Sequence, residues 1–341
     1  MKKLNMFLLI ALTVAMIPDL VHSEGEIKGY MVGEYYYVVK HDTEGLEGRN
    51  GFWFRRIYFT YNNKLSETVK MRLRYEMASP GDFGSALLLG FVKDAYISFK
   101  LGQTNLTAGI QSPPSFNNIE DIWGYRVLEK TPLDLYKWTS SRDFGVSVGG
   151  GKSFIWQAMF ANGSSNKAET DKGKKLLGLI GYKNGGFHLE FNGHYEKKKE
   201  VWTEYLLHTH VTYSGDWGRA GVEYAFMEQK EEVENNDNKK YKYNILSAFV
   251  VFQASKEVDL IVRYDKNWGS GYTEIWKGSK VEYVPFADHA EPNFFIGAIS
   301  WQAHKNVWLI PNIKYAIYNT PDEGEKPKDN VYANLTLWFK F

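Results

Sequence analysis

The last residues of the chain, 331–341, read Val-Tyr-Ala-Asn-Leu-Thr-Leu-Trp-Phe-Lys-Phe. Apolar side chains occupy the odd positions, and polar ones occupy most of the even positions, with Trp338 as the exception. Successive side chains of a β-strand point to opposite faces of its sheet, so this stretch predicts a strand with one apolar face. The strand reaches the aromatic Phe341, where the chain ends.

The same alternation recurs along the chain, whereas helical periodicity is scarce. It is clearest in the stretch 68–77, where apolar residues at 69, 71, 73, 75 and 77 alternate with Lys70, Arg72, Arg74 and Glu76. We predict sixteen strands, at 27–39, 52–61, 68–78, 92–101, 106–111, 143–149, 154–161, 175–182, 186–195, 201–213, 217–227, 243–253, 258–267, 293–303, 307–318 and 331–341.

The connections between these strands alternate between short polar turns and longer segments rich in Gly, Asn, Asp, Glu and Lys. This alternation is typical of a transmembrane barrel with short turns on one side and long loops on the other. We therefore predict an all-β, antiparallel up-and-down barrel of about 16 strands, in which 331–341 closes the barrel against 27–39. The longest internal connection, 112–141, is expected to fold inward as the third outer loop.

The composition agrees with this prediction. The chain has 23 Tyr, 21 Phe, 11 Trp and 31 Gly, with a mean hydropathy of -0.41. Only the lipid-facing half of each strand of such a barrel must be apolar, and aromatic girdles lie at both interfaces. A secreted lectin or sandwich can share this composition, so the strand pattern decides. The absence of cysteine excludes disulfides and thiolate metal sites.

The first residues predict a secretory signal. Lys2 and Lys3 precede an apolar stretch at 6–17, and Val21-His22-Ser23 is a plausible cleavage site. We expect a signal peptide at 1–23 and a barrel domain at 24–341. Removing 1–23 takes two Lys and one Asp from the 41 basic and 40 acidic residues, leaving 39 of each. That balance gives no reason to expect a nucleic-acid partner.

Basic side chains are the candidate solute contacts. Lys70, Arg72 and Arg74 share one face, and Arg56 lies on the neighbouring strand of the same predicted hairpin. Such a strip can attract anions into a lumen, because low-dielectric walls focus the field. The alternative is ordinary wall charge paired with Glu76 and Asp94.

Histidines 188, 194, 208 and 210 have the same parity on adjacent predicted strands. A hairpin centred near Lys198 would set His188 opposite His208. No third ligand is fixed by this spacing, so we predict no metal site and no cofactor. No nucleophile, base and orienting group are brought together by spacing either, so an enzyme is not predicted.

Three segments resemble the phosphate-selective porin O and P family of outer-membrane channels. They are 52–58 followed by Lys64-Leu65-Ser66, then Asp94–Leu101 with 106–114, and finally Arg126–Lys130. The resemblance is concentrated in 51–150. It implies a homotrimeric porin of the bacterial outer membrane, surrounded by lipid and lipopolysaccharide, with basic residues on its inner wall. Phe341 resembles the terminal aromatic signal that the assembly machinery reads.

The expected function is passive diffusion of small hydrophilic solutes or ions through an aqueous pore. Arg56, Lys70, Arg72, Arg74, Lys100 and Asp94 are predicted to line the pore. The constriction is predicted to contain Asp121, Arg126, Lys130 and Lys137. The segment 112–142 carries four acidic and four basic residues, which does not favour strong anion selectivity. The alternatives are a plugged or adhesive barrel and an outer-membrane hydrolase.

Overall fold

The computed structural model describes residues 25–79, 87–198, 202–232, 238–278, 286–320 and 325–341. The predicted signal peptide at 1–23 lies outside them. The described residues form sixteen strands: β1 (Gly25–Lys40), β2 (Asn50–Lys64), β3 (Val69–Ala78), β4 (Leu89–Leu101), β5 (Thr104–Gln111), β6 (Asp143–Gly151), β7 (Phe154–Ala161), β8 (Lys175–Asn184), β9 (Phe187–Lys198), β10 (Trp202–Gly215), β11 (Gly218–Glu231), β12 (Lys239–Gln253), β13 (Val258–Trp268), β14 (Pro292–His304), β15 (Val307–Tyr318) and β16 (Asn330–Lys340). Three short helices accompany them: α1 (Asn117–Trp123), α2 (Pro132–Leu135) and α3 (Ser270–Glu274).

The strands form a closed barrel in which each pairs with its neighbours along the chain and β1 pairs antiparallel with β16. Tyr36 lies opposite Asn334, and the Phe341 amide donates to the Gly29 carbonyl at 3.0 Å. Closure pairs the backbone groups that a sheet edge would leave unsatisfied in lipid. The sixteen predicted strands and the closing pair are confirmed.

The alternation of the sequence gives the barrel two different faces. Large apolar side chains are exposed on the outside, for example Phe52 (87%), Leu207 (67%) and Val262 (60%). Polar and charged side chains of the opposite parity are buried on the inside, among them Asp265 and Lys314. The apolar exterior is the surface that a membrane-embedded barrel presents to lipid. No helix in the described part of the chain has the length and apolar character needed to cross a membrane.

Four register shifts interrupt the pairing of the described strands, and two of them place charged residues at the bulge. Val32 pairs with Arg56 and Gly33 pairs with Phe54, so Arg55 is an extra residue in β2. In the same way, Asp94 pairs with Arg74 and Val92 pairs with Tyr75, so Lys93 is an extra residue in β4. A bulge brings two successive side chains to one face. Arg55 and Arg56 are accordingly both buried, as are Lys93 and Asp94.

Candidate pore and its constriction

The connection between β5 and β6, residues 112–142, contacts widely separated strands. The Arg219 guanidinium of β11 donates to the Trp123 carbonyl at 3.0 Å, and the Tyr125 hydroxyl donates to Asp259 of β13 at 2.6 Å. Asn118 of α1 donates to Glu190 of β9 at 2.5 Å. These partners belong to the inward-facing set of side chains. The connection therefore lies against the inner face of the wall.

A buried ionic network holds the middle of this connection. The Lys314 ammonium of β15 lies 3.1 Å from the Glu129 carboxylate, and both side chains are almost completely buried. Arg55 donates to the carbonyls of Val127 and Leu128 at 2.9 and 2.8 Å, and its guanidinium lies 3.8 Å from Glu129. Burial alone would raise the pKa of Glu129, but Lys314 and Arg55 lower it to about 2. Glu129 is therefore ionised at neutral pH.

Aromatic side chains join the end of this connection to a second one, 269–291, which links β13 to β14. The Trp138 indole donates to the Tyr272 hydroxyl at 3.0 Å, and the Trp276 indole donates to the Tyr136 carbonyl at 3.3 Å. The Tyr136 hydroxyl donates to Asp265 of β13 at 3.1 Å. We call the surface formed by Arg55, Glu129, Lys314, Asp265 and Tyr272 the packed side. The inward packing of Tyr272 and Trp276 was not predicted from the sequence.

The wall formed by the adjoining strands β3 and β4 has a different character. The Asp94 carboxylate of β4 is buried and lies 3.5 Å from Arg74 and 4.0 Å from Arg72, both on β3. The Arg142 guanidinium also donates to it. The side chains of Arg72 and Arg74 are 34% and 22% exposed, so water reaches both. We call Arg72, Arg74, Asp94 and the exposed Asp121 of α1 the open side.

The structure separates the predicted basic strip into three environments. Arg72 and Arg74 lie on the open side. Lys70 and Lys100 are exposed near the short turns that follow β2 and β4, away from the Asp94 cluster. Arg56 is only 1% exposed, which corrects the prediction that it contacts solute. Alternation predicted that it points inward, but not that other side chains cover it.

The predicted constriction residues also differ in accessibility. Asp121 and Lys137 are exposed, and Lys137 has a positive φ of 60°. Arg126 binds Glu120 at 2.6 Å and Asp134 at 2.9 Å, both in the same connection, and it donates to the Tyr58 hydroxyl of β2 at 3.3 Å. The Lys130 carbonyl accepts from Arg263 of β13. Of the four, Asp121 and Lys137 are the most accessible to water.

The predicted pairing of His188 with His208 is wrong. His210 lies opposite Glu190, His208 opposite Asn192, and Thr212 opposite His188. The reason is that β9 extends to Lys198 and β10 begins at Trp202, so the hairpin is centred two residues later than predicted.

Comparisons with known proteins agree with this architecture. The family model described as phosphate-selective porin O and P matches residues 35–245. The anion-selective porin from Comamonas acidovorans is 11% identical, with a TM-score of 0.70 over 94% of this chain and 100% of that chain. The outer membrane channel DcaP of Acinetobacter baumannii is 10% identical, with a TM-score of 0.66 over 95% of this chain and 99% of that chain.

OmpF of Salmonella typhi, solved in complex with daunomycin, is 11% identical, with a TM-score of 0.65 over 93% of this chain and 97% of that chain. No curated protein matches the sequence closely enough to count as a relative. The identities to these solved structures are low, so those likenesses show the fold alone. The family model, in contrast, spans more than half of the sequence and confirms the resemblance found there. The chain therefore belongs to the phosphate-selective porin O and P family.

Proposed function

We propose that this porin is a passive diffusion channel of the outer membrane for small hydrophilic solutes, with a weak preference for anions and without a cofactor or enzymatic activity. Family membership and the closed barrel with an apolar exterior support the channel. The anion preference depends on one observation: three guanidinium groups, from Arg72, Arg74 and Arg142, share the single Asp94 carboxylate. With Asp121 counted as well, three guanidinium groups face two carboxylates, so the cluster has an excess of one positive charge, and the partly exposed Arg72 and Arg74 present it to water.

We infer that 112–142 forms the constriction. It is fixed to the packed side by the Glu129 network and leaves the open side accessible to water. A solute would then pass between α1 and the wall that carries Arg72 and Arg74. Wall charge and pore width decide what crosses such a channel.

The direct test is the reversal potential of single channels in planar bilayers under a KCl gradient. We expect a modest preference for chloride in the unaltered protein. The double variant Arg72→Ala/Arg74→Ala should reduce that preference or reverse it. Lys305→Ala, in the exposed turn between β14 and β15, is the matched control and should have no effect. A preference for cations that is the same in the unaltered protein and in the double variant would contradict the proposal. Added phosphate then tests whether that anion competes with chloride.

A plugged barrel is the second candidate, because the two inward connections meet through Trp138, Tyr272 and Trp276. Single-channel conductance distinguishes an open channel from a plugged barrel. A correctly folded, heat-modifiable sample that inserts into bilayers without opening channels would favour the plug. Hydrolase activity would be sought in that same sample.

We further propose a homotrimer that is exported with a cleaved signal peptide at 1–23, assembled through the terminal Phe341 and surrounded by lipid and lipopolysaccharide. OmpT of Vibrio cholerae, a solved structure of similar fold, has a trimer form. Phe341 is 53% exposed at the end of the closing strand, where a recognition factor can reach it. N-terminal sequencing of the mature protein and the mass of the detergent-extracted complex test these points. Deleting Phe341 should reduce the amount assembled in the membrane.

A further inference from the structure

We infer that His188, Glu190 and His210 form a binding site for a divalent transition-metal ion, such as Zn²⁺, on the inner wall of the barrel. His188 and Glu190 are two residues apart on β9, and His210 lies directly opposite Glu190 on β10. Their ligand atoms all lie within 4.8 Å of one another, and the His188 Nε2 is 3.2 Å from the Glu190 carboxylate. Donors around a tetrahedral zinc ion are about 3.3 Å apart, given bonds of about 2 Å.

An unpartnered histidine points to a ligand. His210 is 1% exposed, and neither of its ring nitrogens has a hydrogen-bond partner among the described residues. A buried polar group without a partner is costly, so its retention needs a reason. Its ring lies 5.0 Å from that of His188, centroid to centroid. A metal ion shared by the two rings and Glu190 would satisfy His210.

The surroundings favour a cation. Both oxygens of Glu190 accept hydrogen bonds, from Asn118 at 2.5 Å and Asn192 at 3.1 Å, which orients the carboxylate as outer partners of metal ligands do. Glu223, bound to His208, adds a second carboxylate near the cluster, and Lys183 on the neighbouring β8 adds one ammonium. Two imidazoles and one carboxylate suit zinc and similar first-row ions, whereas magnesium prefers oxygen ligands only.

A neighbouring cluster on the same two strands provides the contrast. His194, Glu196 and Glu204 also bring three ligand atoms together. There, Lys175 lies 2.9 Å from Glu196, Lys198 lies 3.1 Å from Glu204, and His194 binds Glu204 at 2.8 Å. The ammonium groups already balance both carboxylates. This second cluster is therefore not proposed as a site and serves as the control.

The site also touches the constriction, because Asn118 of α1 joins Glu190 to Lys183. A bound divalent ion would add positive charge beside α1. In a conducting sample, zinc should therefore shift the reversal potential toward greater anion preference. Binding itself is measured separately, so a failure of the metal site is distinguishable from a failure of the channel.

The test is calorimetric titration of the chelator-stripped, tag-free full-length protein in detergent with ZnCl₂, at neutral pH. We expect one zinc ion per chain, and His210→Ala should raise the zinc Kd by about tenfold or more. His194→Ala should bind zinc as the unaltered protein does. MgCl₂ should give no binding signal. Heat-modifiability checks that each variant is folded.

Should His210→Ala fail to fold, His188→Ala takes its place, and the visible absorption of Co²⁺ bound to the unaltered protein reports the ligand set. Loss of that absorption in His188→Ala, with its retention in His194→Ala, supports the site. Absence of zinc binding to the unaltered protein would overturn the proposal. Equal zinc affinity in the His210 or His188 variant, or equal affinity for magnesium, would overturn it as well.

Discussion

Arg55 and Arg72 both point into the barrel from adjacent strands, yet their environments are opposite. Arg55, on the packed side, is completely buried and donates to two carbonyls of the connection 112–142. Arg72, on the open side, has a third of its side chain in water and shares one carboxylate with two other arginines. The first arginine binds the connection, and the second is partly exposed to water.

This difference separates two properties of the channel. Ion pairs on the packed side are desolvated, so removing one partner leaves an uncompensated buried charge and is costly. Charges on the open side are screened by water, so their removal changes the field in the pore more than it changes stability. Substitutions on the packed side should therefore alter conductance and thermal stability, and those on the open side should alter selectivity alone.

The largest effect is expected from Glu129→Gln. It leaves the completely buried Lys314 without its carboxylate and should destabilise the docked connection by about 3–5 kcal/mol. Single-channel conductance should rise or fluctuate as 112–142 loosens, and the heat-modifiability midpoint should fall. Glu120→Gln, in the same connection, is the control. Its partner Arg126 keeps a second carboxylate, Asp134, at 2.9 Å, so the loss should be smaller than in Glu129→Gln. Equal effects of the two variants would contradict the division into two sides.

Acid should act on the same network. The pKa of Glu129 is lowered to about 2 from its usual 4.5, since Lys314 and Arg55 outweigh the effect of burial. A carboxyl with a depressed pKa contributes stability above 4.5, and this contribution is lost as the pH falls toward 2. The full contribution of the Glu129 carboxylate to the free energy of unfolding is about 3 kcal/mol. Conductance noise measured across this range should increase below about pH 4 in the unaltered protein, and a trace that is unchanged down to pH 2 would contradict the assignment.

Much of the fold was predictable, because a strand in a lipid-facing wall must alternate in polarity. That rule predicted sixteen strands, their order and the pairing of β16 with β1. Strand ends were less certain, since polar residues continue a strand beyond the lipid. For example, β12 begins at Lys239 rather than Tyr243. The predicted pairing of His188 with His208 was wrong for the same reason. β9 continues to Lys198, which shifts the hairpin along the chain.

The division between packed and open sides was not predictable. Arg55 and Arg72 are both charged, and nothing local in the sequence indicates which of them 112–142 covers. The bulge opposite Val32 and Gly33 turns Arg55 inward beside Arg56. The one available signal was chemical: two consecutive arginines in a strand that faces lipid would place one of them in hydrocarbon, which is expensive. A bulge at Arg55-Arg56 was therefore a reasonable expectation from the sequence.

A smaller effect is expected where the two inward connections meet. Tyr272→Phe removes the hydroxyl that accepts from Trp138 at 3.0 Å and donates to Asn267 at 2.7 Å. Leaving buried polar groups unpaired should cost about 1–3 kcal/mol. The heat-modifiability midpoint should fall by less than in Glu129→Gln, with a small rise in conductance. Tyr264→Phe, whose hydroxyl contacts Asn293 outside this cluster, is the control. A larger loss of thermal stability in Tyr264→Phe would contradict the assignment of Tyr272 to the contact between the two connections.

The smallest change in stability, with a clear change in selectivity, is expected from Asp121→Asn. Asp121 is exposed on α1, so its loss should change stability by no more than about 0.5 kcal/mol. It removes a negative charge from the open side, and the preference for chloride over potassium should increase. Asp216→Asn, in the exposed turn between β10 and β11, removes the same charge away from α1 and should leave the reversal potential unchanged. If both variants shift it equally, the charge near α1 does not control selectivity, and Arg72 and Arg74 do not face the path of the solute.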